Sequence, residues 1–359
     1  MKQKYYSLKK ILSENADYNI IIGERSNGKS YACLKKILDD FIKDNKQGVY
    51  IRRFKEDITS KRMNTLFTPF DIEKITNGKY HTFIFSSGAF YFANIDENGK
   101  KAETDSKPFC FAMALIDMEH NKSTSYPSVR NILFDEFLTR TFYLKDEFIL
   151  FMNTISTIAR DRTDIKIFMC GNTVNNYSPY FEEMGITNIK NQKQDTIDIY
   201  TYSNSGLKVA VEYCGNFNND KKSNKFFAFN NPKLQMITHG KWEIGNYPHL
   251  PQNKRLSERK LLYVFYIGFN GDNIQFNIYS DNDLFIYVHK KTTPIKENEL
   301  FYSLNNQDSI NLYYRENLLT DSLPITNKLK NILNSAKIFY STNEIGEIYR
   351  NYVNACKRL

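Results

Sequence analysis

The sequence predicts an α/β domain followed by a smaller α+β domain, and three observations carry that prediction. Strand-like and helix-like segments alternate from residue 1 to about 200, the pattern of a mostly parallel sheet covered by helices. A turn with two glycines joins the first apolar run to the first long helix. A later apolar run ends in two adjacent carboxylates.

The elements follow in order. Ile20 to Gly23 is a short β run, and Tyr31 to Lys43 places Leu34, Ile37, Leu38, Phe41 and Ile42 at helical spacing. Gly48 to Phe54 (GVYIRRF) is a second strand. His81 to Asn94 reads as a hairpin with a Ser-Ser-Gly turn. Asn131 to Phe134 is a strand, Asp146 to Arg160 an amphipathic helix, and Ile165 to Cys170 a strand closed by Gly171-Asn172. Residues 203–255 are rich in Asn, Gly, Lys and Ser and contain Pro232, Pro248 and Pro251, which reads as a linker subdomain. From Lys260 three β runs with Asn-Gly-Asp-Asn and Ser-Asp-Asn-Asp turns form a meander. Ile325 to Leu333 and Glu344 to Leu359 are helical. The predicted division is 1–202, 203–255 and 256–359.

Composition narrows the function classes. A chain of 359 residues with 15% aromatics can bury a core in each domain and is not a disordered segment. A net charge of +9 suits an anionic partner, nucleic acid or a membrane surface, although a solvated Lys-rich surface gives the same balance. The five cysteines are scattered without a CxxC pair, so neither a zinc knuckle nor a disulfide framework is expected, and a reducing cytosol fits. The first residues lack an apolar signal core, and no run of 18 apolar residues predicts a membrane span.

The stretch GERSNGKSY matches GxxxxGK[ST] and sits between a strand and a helix, the setting of a P-loop. Gly23, Glu24, Arg25, Ser26, Asn27, Gly28, Lys29, Ser30 and Tyr31 are therefore expected to hold ATP. Lys29 would bridge the β- and γ-phosphates, and Ser30 would bind Mg²⁺. A glycine turn with a solvated lysine is the plain alternative. In NILFDEF, Asp135 is expected to hold Mg²⁺, largely through water. Glu136 would polarise the attacking water as general base. An exposed acidic strand end is the plain alternative here. Asn172, at a strand tip, is a candidate γ-phosphate sensor or else a turn asparagine. Arg160 and Arg162 in ARDR and Lys122 in NKSTSYP are candidate transition-state cations, and Arg25, inside the loop, could pair with Glu136 in one state and with phosphate in another. Each also reads as a solvated charge.

Taken together, IIGERSNGKSYA, VYIRRFKED, KSTSYPSVRNILFDEF and IARDR…IFMCGNTVNNYSPYF, in that order over residues 20–181, resemble the genome-packaging ATPases of small tailed phages of the phi-twenty-nine type. The resemblance implies a P-loop NTPase domain of the additional-strand, catalytic-glutamate branch, related to large terminase subunits. It also implies a C-terminal domain resembling a degenerate ribonuclease-H-like fold, and the strand LLYVFYIGF indeed carries no carboxylate. By the same resemblance the chain forms a pentameric ring on the portal of an empty capsid in the bacterial host's cytoplasm, drives double-stranded DNA inside, and is absent from the mature virion. Some relatives add a structural RNA as partner. Arg160 would act in trans with Lys122 as a second trans-acting cation, and Asn172 would sense nucleotide. No nuclease activity is expected. Asp272, Asp281 and Asp283, placed in turns, are the carboxylates nearest that sheet.

DNA contacts are expected from Lys55, Lys61 and Arg62, from Lys221, Lys222 and Lys225, and from Lys254 and Arg255, next to Arg259 and Lys260. Such contacts bind phosphate without sequence preference. A hexameric DNA pump or helicase of the same branch, a non-hydrolysing nucleotide switch and a nucleic-acid-binding adaptor are the alternatives. Glu136 separates the first from the last two, because a binding-only module has no need of it.

Overall fold

The computed structural model describes residues 5–96, 101–120, 125–215, 239–281, 283–304 and 313–357. Lys122, Lys221, Lys222 and Lys225 lie outside the described residues. The chain forms two units, Met1–Glu243 and Ile244–Leu359.

The first unit is built on a ten-stranded sheet. Its strands are β1 (Tyr18–Gly23), β2 (Gln47–Arg52), β3 (Thr82–Ser86), β4 (Ala89–Ile95), β5 (Lys101–Thr104), β6 (Cys110–Ala114), β7 (Val129–Asp135), β8 (Lys166–Asn172), β9 (Thr196–Tyr202) and β10 (Leu207–Tyr213). The helices are α1 (Lys9–Ser13), α2 (Lys29–Asp44), α3 (Ser60–Leu66), α4 (Ile72–Ile75), α5 (Glu147–Ala159) and α6 (Pro179–Glu183). The order is β3-β4-β6-β2-β7-β8-β1-β10-β9, with β5 on β4. From β6 to β10 every neighbour is parallel, and the outer pairs are antiparallel.

Parallel strands covered on both faces read as unbroken apolar runs, and β1 (YNIIIG) is buried along its whole length. Alternation sends Ile20 and Ile22 to one face, with Phe134, Met169, Phe151 and Ile158. It sends Ile21 to the other, with Leu133, Phe168 and the α2 stripe of Leu34, Ile37, Leu38 and Phe41. The sequence thus predicts the central strands and long helices closely. It misplaces β10. Leu207, Val209, Val211 and Tyr213 alternate into the core, but they are bounded by the polar stretches that suggested a linker.

No separate subdomain occupies the described part of 203–255. Residues 207–213 belong to the first sheet, and Glu243 N–H donates to Thr173 O at 2.8 Å. Gly245 N–H, in contrast, donates to Glu347 Oε1 at 2.7 Å within the second unit.

The second unit carries the predicted meander. It consists of β11 (Lys260–Phe269), β12 (Asp272–Asp281) and β13 (Asp283–Lys290), extended by β14 (Phe301–Ser303), β15 (Tyr314–Arg315) and β16 (Lys337–Tyr340). The order is β15-β14-β11-β12-β13-β16; the meander is antiparallel and the outer strands run parallel to their neighbours. Helices α7 (Pro324–Ser335) and α8 (Asn343–Cys356) complete the unit. Asp272, Asp281 and Asp283 are strand-end residues rather than turn residues, and Asp272 meets Lys290 Nζ at 3.3 Å.

Gly48 fixes how closely α2 approaches the sheet, because a Cβ there would fall 2.5 Å from Ile37 Cγ2. Gly48→Ala is expected to destabilise the first unit by about 1–3 kcal/mol through overpacking. A urea melt showing an unchanged midpoint would contradict this packing.

Candidate active site

Parallel register ends β1 and β8 level and β7 two residues earlier. Gly23 stands opposite Asn172 on β1 and β8, and Asp135 opposite Cys170 on β7 and β8. The loop after β1 passes Ser26, at φ 62°, and Gly28, at φ 96°, before α2 begins. Positive φ suits the glycine and allows the tight entry into the helix. A cavity of about 720 Å³ opens over this edge. It is lined by Tyr5, Tyr6, residues 25–31, Asp135, Glu136, Cys170, Gly171 and Asn172.

Lys29 is buried, and its ammonium donates to Glu24 O at 2.6 Å, Asn27 Oδ1 at 3.1 Å and Asn172 Oδ1 at 3.3 Å. Burial pushes its pKa down, opposed by nearby anionic groups including Asp135 and Glu24. Ser30 Oγ donates to Asp135 Oδ1 at 2.7 Å, and Tyr50 OH donates to Asp135 Oδ2 at 3.3 Å. Burial pushes the Asp135 pKa up, and the Ser30 hydroxyl pulls it back. A hydroxyl and a desolvated carboxylate side by side are hard oxygen donors, and they fit a Mg²⁺ ion bridging to phosphate.

Glu136 leaves the end of β7 at φ 57°, with its carboxylate half-exposed. Arg52 Nη2 holds that carboxylate at 2.6 Å and also lies 3.5 Å from Asp57. In this structure Glu136 is paired with Arg52 rather than Arg25. β2 runs beside β7, so Arg52 follows directly from the Ile51–Phe134 pair, whereas Arg25 is exposed on the loop. The next residue, Arg53, is buried and ion-paired to Glu147 at 2.9 Å. Residue alternation along YIRRF sends the two arginines in opposite directions, and that is the signal in the sequence that points to both.

Arg160 caps α5 on its exposed side, at φ 49° and ψ −119°. Arg162 is different. Its guanidinium donates to the carbonyls of Tyr126 at 2.8 Å, Pro127 at 2.9 Å, Val129 at 2.6 Å and Ile158. This arginine ties the end of α5 to residues 126–129 of its own chain.

The DNA candidates are scattered. Lys55 lies 3.7 Å from Asp117, and Arg62 pairs with Asp57. Lys61 is exposed. In the second unit, Lys254 Nζ sits 4.8 Å over the Phe285 ring and Arg255 lies 3.5 Å from Glu258.

A family model for podovirus DNA encapsidation proteins (Gp16) matches residues 1–319. The chain belongs to that family. It is 25% identical over 318 residues to a DNA packaging protein of Bacillus phage PZA, covering 86% of this chain and 84% of the relative. It is 30% identical over 186 residues to the DNA packaging protein of Bacillus phage phi29, half of each chain. Solved structures of the phi-29 genome packaging motor assembly and the phi-28 packaging motor share the fold. Their TM-scores are 0.53 and 0.52 at 19% and 18% identity, over 98% or more of each chain. It is the family that the motifs between residues 20 and 181 resemble.

The two arginines of α5's end make a direct test. Arg162→Ala is expected to lower stability by about 1.5–3 kcal/mol, the range for hydrogen bonds to a charged group. Arg160→Ala, at an exposed side chain, is expected to cost less than Arg162→Ala. Paired thermal melts of the two variants check this, and equal losses would sink the distinction.

Proposed function

We propose that this chain is a ring-forming ATPase that hydrolyses ATP to drive viral double-stranded DNA into an empty procapsid through the portal. The observation that carries the reading is one cavity in which the buried Lys29, the Ser30–Asp135 pair, Glu136 and Asn172 converge. Placement of β8 between β1 and β7 supports the additional-strand, catalytic-glutamate branch of P-loop ATPases.

The residues suggest the sequence of events. Lys29 exchanges neutral oxygen partners for phosphate oxygens, which gain far more from its charge. Loop N–H groups and the start of α2 receive the remaining phosphate charge. Ser30 and Asp135 would hold Mg²⁺, which when bound neutralises charge on the β- and γ-phosphates. Asn172, beside Lys29, is placed to report the terminal phosphate. Glu136 becomes a general base once its carboxylate leaves Arg52 and turns to an attacking water. Arg160, exposed at a helix end, is the candidate for completing a neighbour's site in the ring. Lys122, outside the described residues, stays a second candidate by resemblance alone.

The second unit fits a degenerate ribonuclease-H-like domain. An antiparallel meander β13-β12-β11 is continued by parallel β14 and β15, and β11 carries no carboxylate. We infer no DNA cleavage by this chain. We also infer that the basic residues Lys55, Lys61, Arg62, Lys254 and Arg255 grip DNA backbone, all but Lys61 after loosening their present contacts. The portal and, as in some relatives, a structural RNA are the further partners, and the site of action is the procapsid in the host cytoplasm.

Glu136→Gln is expected to bind ATP yet turn over at least ~100-fold slower in the presence of DNA and empty capsids, the lower end for loss of a positioned base. Lys29→Ala is expected to lose nucleotide binding itself. Wild type that binds ATP but never hydrolyses it, with DNA and capsids supplied, ends the motor reading. Arg160→Ala subunits are expected to keep ATP binding and lose the turnover of the assembled ring by ~10³-fold or more, the range for a trans arginine. Undiminished turnover removes Arg160 from the neighbour's site.

A further inference from the structure

The two consecutive arginines at the end of β2 hold the same glutamate in different ways. Arg52 takes its carboxylate at 2.6 Å, at the edge of solvent. Arg53 takes its backbone: Nη1 donates to Glu136 O at 3.3 Å and Nη2 to Phe137 O at 2.5 Å. The opposite side of the guanidinium is fixed by Glu147, with Nε 3.0 and 2.9 Å from the two carboxylate oxygens. Glu147 is itself buried and takes Tyr180 OH at 2.9 Å and Leu144 N–H at 2.7 Å. Tyr143 lies under the guanidinium, with its ring centroid 5.1 Å away.

A planar fork that reaches two successive carbonyls defines the orientation of the peptide between them. That peptide joins Glu136 to Phe137, and Glu136 sits at φ 57°, a conformation a glutamate adopts only when its surroundings impose it. Phe137 N–H completes the hold by donating to Cys170 O at 3.2 Å.

We propose that Arg53, braced by Glu147 and Tyr180, is a positioning residue for hydrolysis. It sets the backbone pivot from which the Glu136 carboxylate swings between Arg52 and the attacking water. This inference rests on the ATPase reading above. The competing account is a buried ion pair that serves folding alone.

The experiment replaces the brace without leaving a lone buried charge. In Arg53→Met/Glu147→Leu both charges go, and such apolar exchanges of buried pairs commonly keep the fold. Expected are a urea midpoint near wild type, affinity for a non-hydrolysable ATP analogue within ~2-fold, and kcat reduced at least ~10-fold, since small misplacements of a reacting group cost up to ~100-fold. Amide exchange at Phe137 is expected to quicken. Arg53→Lys keeps a cation against Glu147 but cannot span both carbonyls. It is expected to lose kcat in the same direction, and it serves if the double variant fails to fold. Either variant, folded and turning over like wild type with unchanged exchange at Phe137, overturns the proposal. A wild type without turnover overturns the ATPase reading instead, and exchange at Phe137 still reports whether Arg53 holds the pivot.

Discussion

The site depends on the register of three parallel strands. Gly23 is opposite Asn172, so β1 and β8 end level, and Asp135 is opposite Cys170, so β7 ends two residues earlier. Loops leaving these neighbouring ends meet over a common space, and a cavity at the carboxyl ends of parallel strands follows. A register slip of one residue on β7 would turn Asp135 to the other face and separate it from Ser30. The apolar alternation that buries Ile132 and Phe134 on one face and Leu133 on the other is what forbids that slip.

Burial then sets the chemistry. Lys29 and Asp135 are desolvated in opposite senses, the lysine pKa lowered and the carboxyl pKa raised. Each charge is less comfortable than it would be in water, so an arriving anion and cation gain more by meeting them. The exposed Glu136 is held by Arg52 rather than by burial. Desolvation acts on Lys29 and Asp135, and a salt bridge acts on Glu136.

Much of this was legible in the chain because it is locally encoded. The strand, the loop from Gly23 to Ser30 and the start of α2 are contiguous, and so are Phe134, Asp135 and Glu136. Asn172 required only the end of β8. What could not be read involved distant partners. Arg162 looks like Arg160 until the carbonyls of residues 126–129 are folded against it. The pairing of Arg52 with Glu136 is visible only once β2 is known to be the neighbour of β7. Tyr6 belongs to the cavity wall because its N–H reaches Asn27 O at 2.9 Å and its hydroxyl Glu212 at 2.7 Å, and neither distance has a trace in the primary pattern. β10 was hidden by composition, because its polar flanks outweighed seven residues of regular alternation.

The chain leaves the first unit beside Asn172. Thr173, the residue after Asn172, receives Glu243 N–H on its carbonyl at 2.8 Å and donates its hydroxyl to Gly240 O at 2.9 Å. Arg140 adds a donor to Glu243 O at 3.0 Å. Tension on the outgoing strap is therefore delivered first to the residue next to Asn172, and any shift of Asn172 slackens or tightens that strap. The fold has a short force path between the tip of β8 and the point where the backbone departs, and it is made of hydrogen bonds weak enough to be released one at a time.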